Sequence, residues 1–188
     1  MKNISIYAQT HYVRLSISEF LFDLKEEVSV VENISIFVFE GAWINLKEFL
    51  NLIQCNSRRI LIIAKEETIY FISAILKSDK ISYANINTAL THLKQEIKNF
   101  IQCLTPNTNN CSMISALVLQ PWEYCIISLY LQGRSTSYIS KVMGKPIKQI
   151  HNIRLYAMRK TGVFSDAALV NHWCIIVHWL YVKPKCIV

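Results

Sequence analysis

The chain has 188 residues, a length that suits one ordinary domain plus one small one, and 52% of them are apolar against 18% charged, a balance that argues against intrinsic disorder. Its formal charge of +7 is unevenly placed: up to Val118 eleven Lys/Arg balance eleven Asp/Glu, whereas from Leu119 onward nine face only two, Glu123 and Asp166. That asymmetry points the C-terminal part toward a polyanion, because lysines and arginines gain affinity by releasing counterions from phosphates; a basic but unpartnered surface is the alternative reading.

Six cysteines (Cys55, Cys103, Cys111, Cys125, Cys174, Cys186) are scattered, with no C-x-x-C and no Cys/His spacing of the zinc-binding kind, so no metal is expected. The opening MKNISIYAQT lacks the apolar core of a signal peptide, and the expected location is the cytoplasm with thiols free. The run from Cys174 to Val182 is far short of the roughly 18 residues that a membrane span needs. It reads as a terminal helix or strand that packs, with a dimer contact as the alternative.

Up to about residue 103, short apolar runs alternate with amphipathic stretches, the pattern of an α/β sheet domain with crossover helices. The runs are ISIY (4–7), VSVV (28–31), ISIFVF (34–39), RILIIA (59–64) and KISYA (80–84). Between them, helical stripes are expected through Val13, Ile17, Phe20, Leu21 and Leu24, through Leu46, Phe49, Leu50 and Ile53, through Ile69, Ile72 and Ile75, and through Ile86, Leu90, Leu93, Ile97 and Ile101, all as core. Only Glu32 and Asn33 separate the second run from the third, too few for a parallel crossover. VSVV is therefore expected as an irregular edge segment or an antiparallel strand.

Residues 104–118 read as a linker: Pro106 stands among three asparagines and two threonines, without periodicity, and the charge balance changes just beyond. The expected organisation is an α/β domain over 1–103 and a second domain over 119–188.

In that second part three helical patterns are separated by turn signals. The first begins near Pro121 and presents Trp122, Cys125, Ile126, Leu129 and Tyr130 on one side, ending at Gly133. The second has Ser135 as N-cap, turns Ile139, Val142 and Met143 inward, and closes at Gly144. After the turn Gly144-Lys145-Pro146, a third helix from about Ile147 to Thr161 has Ile150, Ile153, Ala157 and Thr161 on one face and Lys148, Asn152, Leu155 and Arg159 on the other. Two helices joined by a tight glycine turn, the second basic outward, suit a major-groove reader.

This segment resembles the LuxR/FixJ/GerE-type helix-turn-helix domain. The resemblance runs without a gap over about 50 residues and rests on Leu119, Glu123, Leu129, Gly133, Ser135, Ile139, Met143, Gly144, Lys148, Ile150, Asn152, Met158, Arg159, Lys160, Gly162 and Val163. Gln120, Gln149, Ile153 and Thr161 depart from the usual pattern. The resemblance implies an all-α domain of about four helices that binds double-stranded DNA. It implies that His151, Asn152 and Leu155 face base edges and that Lys148, Gln149 and Arg159 meet phosphates, with Lys160 in the same DNA-binding set.

An α/β domain before such a module resembles the receiver of a response regulator, but the acidic pair, the phospho-acceptor aspartate and the lysine are missing. Ala8, Gln9 and Thr10 follow the first run, Glu40 and Gly41 end the third, and Ala84 and Asn85 stand in the last, so neither Mg²⁺ nor phosphate has its ligands. Together with the opening THYVRLSISEFL, this is similar to the auxiliary regulators of the RcsA and GadE kind, with a degenerate receiver-like domain. The expected function is a phosphorylation-independent transcription regulator, paired with itself or with a LuxR-type partner. A protein-interaction module that sequesters another regulator without binding DNA is the alternative. No catalytic set and no cofactor motif is present in the sequence, so no enzyme is expected.

Overall fold

The computed structural model describes residues 4–24, 33–102, 114–115 and 119–181. Four apolar runs form strands: β1 (Ile4–Ala8), β2 (Ile34–Phe39), β3 (Arg59–Ala64) and β5 (Ile81–Asn85). They pair parallel in the order β1-β2-β3-β5, with Ile4 opposite Ile34, Ile34 opposite Arg59 and Ile60 opposite Ile81. Every residue of β2 and β3 is buried, as continuous apolar strands require when helices cover both faces of a sheet. The run 28–31 lies outside the described residues.

Alternation along the strands sends side chains to two cores. Ile36, Val38, Leu61, Ile63 and Ala84 face α1 (His11–Asp23) and α4 (Leu90–Gln102), which contribute Leu21, Ile97, Phe100 and Ile101. Phe37, Phe39, Ile60, Ile62 and Ala64 face α2 (Leu46–Ile53) and α3 (Glu66–Ile75), which contribute Phe49, Leu52, Phe71, Ile72 and Ile75. The four expected stripes thus lie on helices that pack the sheet, except that Ile86 falls in the turn before α4, Leu24 caps the end of α1, and Leu90, at the start of α4, is exposed. Local capping sets the helix starts: the Thr10 hydroxyl accepts from Val13 N, and Asn45 and Glu48 form a reciprocal capping box.

The second core does not end with the sheet domain. Ala157, Met158, Val163, Leu169, Ile175, Ile176 and Trp179 belong to it as well. They come from α7 (Ile147–Lys160), α8 (Asp166–Tyr181) and the turn between them. Trp179 meets Phe49 edge to face at 5.7 Å, and His172 stacks on Phe71 at 3.8 Å. The terminal apolar stretch is thus the packing helix that its sequence leads one to expect, and not a free surface for a second chain: the face carrying Leu169, Ile176 and Trp179 is buried against α2 and α3 of its own chain. Within the expected linker, Ile114–Ser115 form a short strand, β6, antiparallel to β4 (Leu76–Lys77); most of that segment lies outside the described residues. No described helix is long and apolar enough to cross a membrane.

Candidate nucleic-acid interface

Three helices, α5 (Pro121–Leu131), α6 (Thr136–Met143) and α7, meet in a small core of their own made by Ile126, Ile139 and Ile150. The Ser135 hydroxyl caps α6 by accepting from Tyr138 N at 3.2 Å. Gly144 ends it in the left-handed region, φ 61°, where a side chain costs energy that glycine does not. These two residues, both expected from sequence, determine how sharply the chain turns from α6 into α7.

The inward assignment of Val142 is corrected, as is the grouping of Trp122 with the packed side of α5. Trp122 is 40% exposed and Val142 55%. A single stripe does not describe α5, because it packs on two sides: Ile126 enters the small core, and Ile127 enters the core shared with the sheet. Glu123, one residue from Trp122, is the buried polar group there.

Along α7, Ile150, Ala157 and Met158 are buried and Thr161 closes the helix. On the other side Lys148, Gln149, His151, Asn152 and Arg159 are exposed, and Leu155 is half-buried. From Lys148 to Arg159 this stripe extends about 16 Å at the helical rise. No acid pairs with Lys148 or Arg159 among the described residues. Pro146 precedes α7 and no side chain caps its first turn, which leaves backbone N–H groups at its start open to an anion.

Two other cations of α7 are turned inward. The Lys160 ammonium donates to both oxygens of Glu123, at 2.7 and 2.9 Å, and sits 4.7 Å from the Tyr156 ring. Arg154 pairs with Asp166 at 3.3 Å and lies 4.1 Å over the Tyr130 ring, while the Tyr130 hydroxyl donates to Asp166. The expected DNA-binding set is therefore brought onto one face except for Lys160, which ties α7 to α5. Arg134, exposed and 5.3 Å over the Tyr138 ring, adds a cation at the start of α6 that helix periodicity did not single out.

At the ends of β1 and β2, Glu40 accepts from the Thr10 amide and the Thr10 hydroxyl, both at 2.9 Å. The Gln9 amide donates to Glu48. A threonine and a glutamine thus engage the acids here.

No protein-family model and no curated relative matches the chain. Solved structures do. RcsB as two dimers bound to two parallel DNAs superposes with a TM-score of 0.57 at 17% identity, over 92% of this chain and 97% of that one. The response regulator RcsB in complex with DNA gives 0.54 at 18%, covering 92% and 97%. RcsB of Salmonella enterica serovar Typhimurium bound to promoter P1flhDC in the presence of a phosphomimetic gives 0.54 at 16%, covering 93% and 98%. This chain has the RcsB fold. The expected α/β receiver-like domain followed by a four-helix helix-turn-helix domain, α5 to α8, is the architecture observed. The likeness to RcsB extends over both parts of the chain.

Proposed function

We propose that this chain is a cytoplasmic, non-enzymatic transcription regulator that binds double-stranded DNA through α7 of a unit spanning 119–188. The observation that carries the reading is the face of α7 itself: Lys148 and Arg159 stand exposed at its two ends with Gln149, His151 and Asn152 exposed between them. An exposed basic helix following a tight turn enters a major groove with base-reading amides flanked by phosphate-binding cations. The charge balance of the same region supports the reading, as do the DNA complexes formed by RcsB.

In this proposal control does not involve phosphorylation, because Gln9, Thr10 and Glu40 stand where a receiver needs its acids, and Thr10 already occupies both Glu40 oxygens. One such unit contacts few base pairs, so the regulator acts as a homodimer or with a LuxR-type partner across two half-sites. Fluorescence anisotropy with genomic DNA fragments across salt concentrations tests the reading. Binding whose affinity falls steeply with salt, and which some fragments retain at physiological salt, is expected. Absence of binding at low salt, alone or with a LuxR-type partner, replaces it with the sequestering module.

A further inference from the structure

Ile150 and Ala157 are buried and hold α7 down, yet between them residues 151–156 contain no fully buried residue, and Ile153 packs only partly against the small core. The same stretch carries His151, Asn152 and Leu155, the groups that the proposed function turns toward base edges. Apolar packing is therefore thinnest where accuracy matters most.

What grips this stretch is polar. The Arg154 guanidinium donates to Asp166 Oδ1 at 3.3 Å and lies 4.1 Å over the Tyr130 ring, while the Tyr130 hydroxyl donates to Asp166 Oδ2 at 2.9 Å. One side chain thus joins the middle of α7 to the end of α5 and the first turn of α8. The other tether of α7, Lys160 on Glu123, lies beyond the stretch, in the last turn. At 3.6 residues per turn Arg154 stands about 200° around the helix from Asn152, on its opposite side. The Arg154 side chain is 15% exposed and that of Asp166 54%, and so open an ion pair adds little stability. Its effect is on orientation: a planar guanidinium held at its edge by a carboxylate and on its face by a ring has one arrangement. A roll of about 20° moves a side-chain tip on a helix about 10–12 Å across by about 2 Å, enough to break the hydrogen bonds of an amide to a base edge.

We infer that Arg154 is the positioning residue of the proposed recognition helix: clamped by Asp166 and Tyr130, it sets the roll at which Asn152 meets base edges. It does not itself touch DNA. The inference rests on α7 as the DNA reader, and adds that accuracy of reading, as distinct from affinity, is set from the far side of the helix.

The test compares the full chain with Arg154→Met, Arg154→Lys and Asp166→Asn, measuring binding to the genomic fragment that the parent prefers and to a scrambled duplex of equal length. Urea midpoints and hydrogen exchange of the amides of residues 151–156 are measured on the same proteins. The preferred-to-scrambled affinity ratio should fall about tenfold in each variant, with urea midpoints close to that of the parent. Asp166→Asn removes an acid, so its affinity for the scrambled duplex should rise while its ratio falls, a pairing that loss of folding does not produce. Arg154→Lys keeps the cation without the planar group and should not restore the ratio. Exchange at 151–156 should quicken in all three variants while β2 and β3 stay protected. A parent that prefers no fragment removes the DNA reading and the specificity role with it, and unchanged exchange at 151–156 removes the clamp itself. Parent-like ratios in Arg154→Met and Asp166→Asn, or a fully recovered ratio in Arg154→Lys, overturn the positioning role with the DNA reading intact.

Discussion

Lys160 and Glu123 lie 37 residues apart and are joined at 2.7 Å, with the Glu123 side chain wholly buried and that of Lys160 about a quarter exposed. The same carboxylate also accepts from Gln120 N at 2.8 Å, so one glutamate caps α5 and anchors α7. The two partners are not equivalent. Removing the lysine strands a buried carboxylate, whereas removing the glutamate leaves an ammonium that reaches water. Lys160→Met should cost on the order of 3 kcal/mol, and Glu123→Gln, which keeps a cap acceptor, clearly less. Urea unfolding of the two variants checks the order; equal losses would mean that burial of Glu123 is not what makes the pair matter.

Gly162 follows α7 with φ 68°, and a Cβ there would stand 2.6 Å from the Tyr70 carbonyl oxygen and 2.8 Å from Phe71 Cα. These are backbone atoms of α3, which no rotamer change can move aside. Gly133 and Gly144 also have positive φ but open space around them. Alanine at either of those should therefore cost only the left-handed strain, about 1–2 kcal/mol. Gly162→Ala should cost more than both and loosen the docking of α7 and α8 on α3. Denaturation midpoints of the three variants test this, and a Gly162→Ala protein as stable as the other two would contradict the contact.

His172 makes stability depend on pH. Its burial lowers the imidazole from 6.5 to about 4, opposed by a hydrogen bond with the Ala168 backbone. The unfolded chain therefore takes up this proton first, so the stabilising contribution is complete above about pH 6.5 and is lost as pH falls toward 4, amounting to about 3 kcal/mol across that window. His172→Phe keeps a ring against Phe71 and should flatten this part of the profile. Urea midpoints measured from pH 7 to pH 4 decide it: parallel profiles for parent and variant would remove His172 as the cause.

Much of this architecture was legible because it is local or periodic. Strands buried on both faces announce themselves as unbroken apolar runs such as ISIFVF and RILIIA, and the turn from α6 to α7 is written in Ser135 and Gly144. What was not legible depends on contacts between distant segments. Trp122 was grouped with Cys125 and Ile126 because a single stripe assumes one buried face, whereas α5 has two, and Val142, expected inward near the end of the short α6, stands exposed. Lys160 has the spacing of a surface cation on α7; only the approach of α5 brings Glu123 to it. That the apolar stretch of α8 packs was legible, but nothing in its own sequence reveals that Phe49 and Phe71 are what it packs against.

Phosphorylation offers another test. Glu40 lies where a receiver would carry its phospho-acceptor, and its two oxygens accept from Thr10. With Ala8, Gln9 and Ala84 in place of the groups that hold Mg²⁺ and neutralise phosphate, incubation with acetyl phosphate and Mg²⁺ should leave the intact mass unchanged. A stable adduct at Glu40 or at any aspartate would refute phosphorylation-independent control.

With α7 as the proposed recognition helix, affinity and specificity should separate along it. Lys148 and Arg159 are exposed and unpaired with any acid among the described residues, so alanine at either should weaken all DNA sequences alike and reduce the salt slope by about one unit. Asn152, exposed between them one turn after Lys148, carries an amide of the kind that pairs with adenine edges, which is its proposed role. Asn152→Ala should therefore cost roughly 1–3 kcal/mol on the preferred site and relax discrimination at one base pair, with non-specific binding almost unchanged. Leu155 is half-buried and offers only a methyl contact, so its truncation should have a smaller effect at a thymine. Competition anisotropy on preferred and scrambled duplexes, with the fold of each variant checked by circular dichroism, measures all of these. If Asn152→Ala distinguishes the two duplexes as the parent does, Asn152 does not read bases, and specificity must come from another exposed group of α7 or from DNA shape.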